Sequence, residues 1–226
     1  MLVLCATAFA IAASRVQAAQ SPDVLKAAAF GGNTGGLCVI LGAETTDLAA
    51  ELGATGRFLV QALEGDDQVI DRARRQVQSK ALYGLVSVER LPKQGGLPYT
   101  ENLVNLLVIR PRHSARISAG EAIRVLCPDG ELIAGGEMTA GQLEAVGFVN
   151  VRRMGDTGGW LTARKPWPVE MDEWSHPLHS AAGNAVSNDA LVAPPRRLRW
   201  VAGATAEVPG MVTTAGRNFY AGRRDE

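Results

Sequence analysis

From Leu37 to Leu41 the chain is apolar without a break and includes the β-branched Val39 and Ile40, the pattern of a strand buried on both faces. Gly42 ends the run. From Asp47 the apolar positions Leu48, Ala49 and Leu52 fall at helical spacing until Gly53 stops the helix. Strand, tight turn and helix together form the opening of a nucleotide-binding α/β unit, in which a ligand can meet bare backbone at a helix N-terminus.

The same alternation of periods continues along the chain. Phe58–Leu63 is a second strand ending at Glu64. Between Gly65 and Ala81, Val69, Ile70, Ala73 and Val77 form an inward stripe, while Asp71, Arg72, Arg74 and Arg75 face outward. Leu85–Glu89 is a third strand, and Leu91–Asn102 a loop containing Pro and Gly. Leu103–Ile109 is a fourth strand, followed by a short helix through Glu121–Leu126, a turn at Pro128-Asp-Gly130 and a fifth strand at Glu131–Ala134. A helix over Thr139–Val146 ends at Gly147, and Phe148–Arg153 with Gly159–Arg164 closes the pattern as a hairpin. Strands alternating with helices predict an α/β fold, doubly wound: a mostly parallel, seven-stranded Rossmann-like sheet with an antiparallel closing strand.

Both ends depart from this pattern. Met1–Ala19 is apolar from Leu2 to Ala13 and ends in small residues around Val16-Gln-Ala18, which predicts a secretory signal peptide over 1–19 and an exported protein, periplasmic or extracellular. A buried Ala-rich helix is the competing reading of that stretch. Ser21–Phe30, with a capping Ser and Pro at the first helical position, predicts a helix leading to the first strand. The α/β domain then covers 20–165. From Lys165-Pro-Trp-Pro168 onward the prolines and the Asn, Ser and Gly-rich segments leave no helical period, so 166–226 is a different, irregular or β region.

Composition narrows the function classes. The chain has 226 residues, 46% hydrophobic, with Lys+Arg and Asp+Glu both at 23, so no overall field favours nucleic acid or an anionic membrane. Cys5 falls in the leader, and Cys38 and Cys127 lack metal-type spacing and are expected as small core or near-core residues. His113 lies among Pro and Arg residues and is expected to be exposed rather than catalytic. His176 and His179 stand three apart with no third ligand in view, so local hydrogen bonding is expected there and no metal. Trp174 and Trp200 are expected to be packing anchors. No residue presents itself as a general base.

Four stretches resemble a class I S-adenosylmethionine-dependent methyltransferase over Asp23–Lys165. Cys38-Val-Ile-Leu-Gly-Ala-Glu-Thr-Thr46 lies where that family has its Gly-rich first motif, and Ala62-Leu-Glu64 where an acid ends the second strand. Leu97-Pro-Tyr99 resembles the lead into the fourth strand, and Arg124-Val-Leu-Cys-Pro-Asp-Gly130 the stretch before the fifth. The resemblance implies S-adenosylmethionine as the cofactor and a nucleotide-like small molecule as the partner. Gly42, Ala43 and Glu44 would face its methionine end, Glu64 and Gly65 its ribose, and Glu89 and Arg90 its adenine. The departures fall on the same motifs. Ile40 replaces an acid, Glu44 and Thr46 replace glycines and put side chains into space the ligand needs, and Asn105 replaces the acid of the fourth strand. Glu44 is also placed to cap the helix that begins at Asp47.

The tail carries a second resemblance. Met171–Val186, Pro194–Val201 and Gly216–Tyr220 resemble the opening of a pyrroloquinoline-quinone-type β-propeller, as in exported bacterial proteins where a methyltransferase-like domain precedes the blades. One blade cannot close a propeller, so the chain is expected to be a fragment whose partners include the missing blades. The expected function is a methyltransferase-like domain that has lost its chemistry and acts as a binding or structural module. The alternatives are an active class I methyltransferase and, more distantly, a nicotinamide-dependent enzyme, for which the first turn lacks the Gly-x-Gly-x-x-Gly pattern.

Overall fold

The computed structural model describes residues 35–93, 96–154, 159–176, 178–191, 212–214 and 217–219. The leader over 1–19, the helix over Ser21–Phe30, the turn of the closing hairpin, Pro194–Val201 with Trp200, and Tyr220 lie outside the described residues. Two compact units are present, meeting in sequence at Pro166 and Trp167.

In the first unit the strands are β1 (Gly36–Leu41), β2 (Phe58–Glu64), β3 (Val86–Arg90), β4 (Val104–Ile109), β5 (Leu126–Gly135), β6 (Val149–Met154) and β7 (Trp160–Arg164). They form one sheet in the order β3-β2-β1-β4-β5-β7-β6. All neighbours up to β5 pair in parallel, and β7 runs antiparallel to both β5 and β6. This is the expected α/β architecture with its antiparallel closing strand.

The central strand β1 is apolar throughout, and β4 is so from Leu106 to Ile109, because both faces are covered there. Alternate residues of β1 go to opposite sides: Cys38 and Ile40 to one core, Val39 and Leu41 to the other. Helices α1 (Asp47–Ala54) and α2 (Asp67–Ser79) cover the first face with Leu48, Leu52, Ile70, Ala73 and Val77. Helices α3 (Ala119–Val125) and α4 (Ala140–Ala145) cover the second with Ala122, Val125 and Leu143. Among the described residues no helix is long and apolar enough to cross a membrane.

Local chemistry sets the element ends. Asp66 begins α2 by accepting from the amides of Gln68 and Val69, and Thr139 forms a reciprocal capping box with Gln142 at α4. Arg124 donates to Glu121 and to the carbonyls of Tyr99 and Leu97, so the Leu-Pro-Tyr lead into β4 is clamped to α3. The Lys165 ammonium closes the end of α3 through the carbonyls of Ile123 and Leu126 at 2.7 and 2.8 Å.

Two expectations need correction here. Pro128-Asp-Gly130 does not precede the fifth strand but lies inside it as a bulge. The β4 partners jump from Val104↔Leu126 to Leu106↔Glu131, and Asp129 takes a φ of 61°. Asn105 is the second residue of β4, at the opposite end of the sheet from Gly42. Its Oδ1 accepts from the Leu37 amide at 2.9 Å and its Nδ2 faces Cys127, which makes it a tie between strand starts. Cys38 is buried and Cys127 half-buried, the core and near-core positions expected of them.

In the second unit, the described residues from Trp167 to Leu191 contain no helix and gather around the carboxylates of Asp172 and Asp189, the latter accepting from the Asp172 and Leu191 amides at 3.3 and 2.7 Å. Asp172 Oδ2 accepts from the Asn188 amide at 2.7 Å and Ser187 Oγ at 3.1 Å, and lies 2.8 Å from His179 Nε2. The ring of Trp174 packs edge-on against His179, while His176 Nδ1 lies 3.0 Å from Ser175 Oγ, so both histidines make local contacts. Strands β8 (Val212–Thr214) and β9 (Arg217–Phe219) pair as an antiparallel hairpin.

Among the buried residues of the first unit is an acid on β5. Glu131 on β5 pairs in register with Arg164 on β7, is 8% exposed, and its Oε2 has no hydrogen-bond partner among the described residues. The guanidinium of Arg164 is shared with Asp129 at 3.0 Å. Burial pushes the Glu131 carboxyl up from 4.5 to about 7, with Arg164 pulling it back. Because the folded value lies above the unfolded one, stability is full below about pH 4.5 and is lost as pH rises through about 7. The loss is expected to be roughly 1–3 kcal/mol. Urea denaturation at pH 5 and pH 8 should show this fall in the native chain and a flat profile in Glu131→Gln; equal slopes in the two would contradict it.

Candidate functional site

The strand registers bring three chain segments to one point. Leu41 pairs with Leu63 on one side and with Ile109 on the other, so Gly42, Glu64 and Arg110 follow side by side at the C-terminal end of the sheet. Here the strand order reverses between β1 and β4, the place where open α/β sheets leave a ligand crevice.

Each segment is shaped by its own sequence. Gly42 has a φ of 106°, which turns the chain out of β1 in a conformation that side-chain-bearing residues rarely adopt. After β4, Pro111 opens a 3-10 helix over Pro111–Arg116 that doubles the chain back. Ser114 fixes this turn by donating to the Pro111 carbonyl at 2.8 Å and accepting from the Glu137 amide at 3.1 Å, beyond the end of β5.

At the centre is the Glu64 carboxylate, 5% exposed. Its Oε1 accepts from the Gly65 amide at 2.6 Å and the Asp66 amide at 3.3 Å, and its Oε2 from the Ala43 amide at 3.1 Å. His113, expected on the surface, is 7% exposed and forms part of this cluster. Its Nε2 lies 3.6 Å from Glu64 Oε2 and 3.4 Å from Glu44 Oε1. The 3-10 helix folds the imidazole inward, while the neighbouring Arg112 stays exposed at 4.0 Å from Glu44.

Glu44 does not cap α1. Thr46 holds the cap position, with no side-chain capping bond, and the Glu44 carboxylate turns toward His113 instead. Its hydrogen bond to His113 holds its carboxyl down at about 2, against the opposing effect of burial. Thr46 does not project into the crevice either: its hydroxyl donates to Gln76 of α2 at 3.2 Å and ties the two helices together. Arg110 completes the cluster, its guanidinium reaching the Thr45 carbonyl at 3.3 Å. Burial lowers the pKa of this group, opposed by Glu44, Asp47 and Glu64.

The space in front of Gly42 is consequently filled. A Cβ placed on Gly42 would meet Glu44 Oε2 at 2.8 Å and both Arg110 Cδ and His113 Cδ2 at 2.9 Å. A groove of about 900 Å³ runs past Ser114, Arg116, Glu121 and Met138, and its lining includes none of Glu44, Glu64 and His113.

Of the seven residues the sequence singled out for a cofactor, five converge here: Gly42, Ala43, Glu44, Glu64 and Gly65. The other two are engaged with helix α2. Glu89 pairs with Arg74 at 3.1 Å, and Arg90, although the register partner of Glu64, pairs with Asp67. Sequence reasoning missed His113 and Arg110. The signal available for both was their place just beyond the end of β4, at the reversal of the strand order.

No family model matches the chain, and no curated protein matches it. Solved structures do. A Methanococcus maripaludis protein assigned as an S-adenosyl-L-methionine-dependent methyltransferase superposes with a TM-score of 0.55 at 17% identity, over 66% of this chain and 86% of its own. The [4+2]-cyclase SpnF gives 0.54 at 16%, over 67% and 82%. A candidate exported protein of Bordetella parapertussis gives 0.51 at 16%, over 66% and 68%. Likeness at these identities shows the fold, which is that of the class I S-adenosylmethionine-dependent methyltransferases. That a cyclase shares it illustrates how little the fold fixes the chemistry.

Proposed function

We propose that this chain is a methyltransferase-like domain in which cofactor chemistry has been given up, acting as a binding or structural module in an exported protein that continues into a pyrroloquinoline-quinone-type propeller. The filled crevice carries this reading. The residues that would cradle the methionine end of S-adenosylmethionine are covered by Glu44, Arg110 and His113. The carboxylate that would hold the ribose is already satisfied by three amides of its own chain. In this arrangement these residues do not fit the cofactor. The export and propeller parts of the reading rest on the apolar leader Met1–Ala19 and on the sequence of the tail.

The alternative, an active class I methyltransferase, draws on the fold and on Glu64 standing beside Gly42. Magnitudes count against it. To accept two ribose hydroxyls, Glu64 would exchange charge-assisted bonds to amides, worth roughly 1.5–3 kcal/mol each, for bonds of similar strength. That exchange gains nothing, and Glu44 and His113 would still have to leave their buried positions.

Calorimetric titration of the 226-residue chain with S-adenosylmethionine and S-adenosylhomocysteine is expected to give no saturable heat. Micromolar binding that Glu64→Ala abolishes would reinstate the enzyme. For export, N-terminal sequencing of the chain expressed in a bacterial host should find the leader removed from a periplasmic or secreted product. An intact Met1 on a protein retained in the cytoplasm would contradict that part.

A further inference from the structure

Hydrogen bonding is incomplete where the cluster is most crowded. Glu44 Oε2, Arg110 Nε and His113 Nδ1 are all buried without a hydrogen-bond partner among the described residues. Each such atom costs about 1–3 kcal/mol by general experience. Of the three, a cation lying between the carboxylates and His113 Nε2 satisfies Glu44 Oε2, not Arg110 Nε or His113 Nδ1. The atoms that face one another are two carboxylate oxygens and an imidazole nitrogen, from Glu44, Glu64 and His113, all within 4.8 Å of one another.

We infer that Glu44, Glu64 and His113 form a site for a single divalent cation of the zinc class. The His113 Nε2 distances of 3.4 and 3.6 Å to the two carboxylates are close to the separation of about 3.3–3.4 Å that two ligands have across a tetrahedral zinc ion with bonds near 2.0–2.1 Å. The nitrogen donor selects against magnesium, which takes oxygen ligands and keeps its water, and favours zinc or cobalt. Glu64 binds through Oε2, which carries only the Ala43 amide, while its Oε1 remains tied to Gly65 and Asp66. Glu44 contributes either oxygen, since Oε2 has no other partner. A water completes the shell.

The surroundings set the strength. Arg110 beside the two carboxylates leaves the site one net negative charge, and exposed Arg112 lies 4.0 Å from Glu44. His113 Nδ1 has no acceptor to orient the ring or raise its basicity. Micromolar rather than nanomolar affinity follows. The inference rests on the same filled crevice as the proposed function, but it concerns what the filling side chains bind.

The test is a cobalt titration of the full chain carrying His176→Gln and His179→Gln, which leaves His113 as the sole imidazole of the three in the sequence. The expected result is one saturable equivalent of cobalt with visible d–d absorption, displaced by one equivalent of zinc. Adding His113→Gln should weaken binding by no less than the roughly 10–100-fold that even an outer-shell partner contributes. Glu44→Gln, a near-isosteric change, should weaken it similarly and decides the matter if the histidine variant loses its native circular dichroism. Absence of saturable binding, or binding unchanged in both variants, would overturn the inference. Neither result alters the outcome with S-adenosylmethionine, so the two readings fail separately.

Discussion

A carboxylate cannot be buried without partners, and the partners that Glu64 has chosen hold one end of this sheet together. Its oxygens gather the amide that follows β1 and the two that follow β2, and its neighbour His113 brings in the segment after β4. Removing an ionised carboxylate from water costs several kcal/mol, and only such a set of fixed donors returns it. The three turns at the reversal of the strand order are thereby fastened to a single charge. In a working nucleotide fold an acid at this place meets a ligand. In this chain the acid accepts from three backbone amides.

What makes this arrangement possible is the depth of the scaffold beneath it. Cys38–Leu41 of β1 and Leu106–Ile109 of β4 are almost wholly inaccessible, and their side chains divide between two cores of similar extent. A sheet packed this way has little freedom to slide, because a shift of one residue would exchange its two faces. The positions of Gly42, Glu64 and Arg110 are therefore fixed by register, independently of any ligand. A crevice whose walls are set by register keeps its shape whether or not a ligand is bound.

The sequence made the scaffold readable and left the site half hidden, for a physical reason. Periodicity reports which face of an element is buried, so β1, α2 and the helix ending at Gly147 were visible as local patterns. Glu64 was visible too, because an acid at the end of an apolar run is a local signal. His113 was not. It sits among arginines that face solvent, and its burial depends on a 3-10 helix folding back over a turn distant in sequence. Glu44 misled in the same way: a carboxylate shortly before a helix suggests a cap, and only the approach of His113 redirects it. The bulge at Pro128-Asp-Gly130 imitated a turn because its residues are turn formers, while the pairing of Lys165 with Gly130 and Asp129 keeps it within the strand.

The central claim is that Glu64 spends its carboxylate on the protein's own backbone. Amide hydrogen exchange at Ala43 and Gly65, followed by NMR in the absence of any nucleotide, tests this most directly. Both amides donate to a buried acceptor. They should exchange as slowly as the ends of β1 and β2 that they flank, and Glu64→Ala, which removes both acceptor oxygens, should release both. Fast exchange at the two amides in the native chain, with the adjoining strands protected, would mean an open, water-filled crevice and would contradict the account.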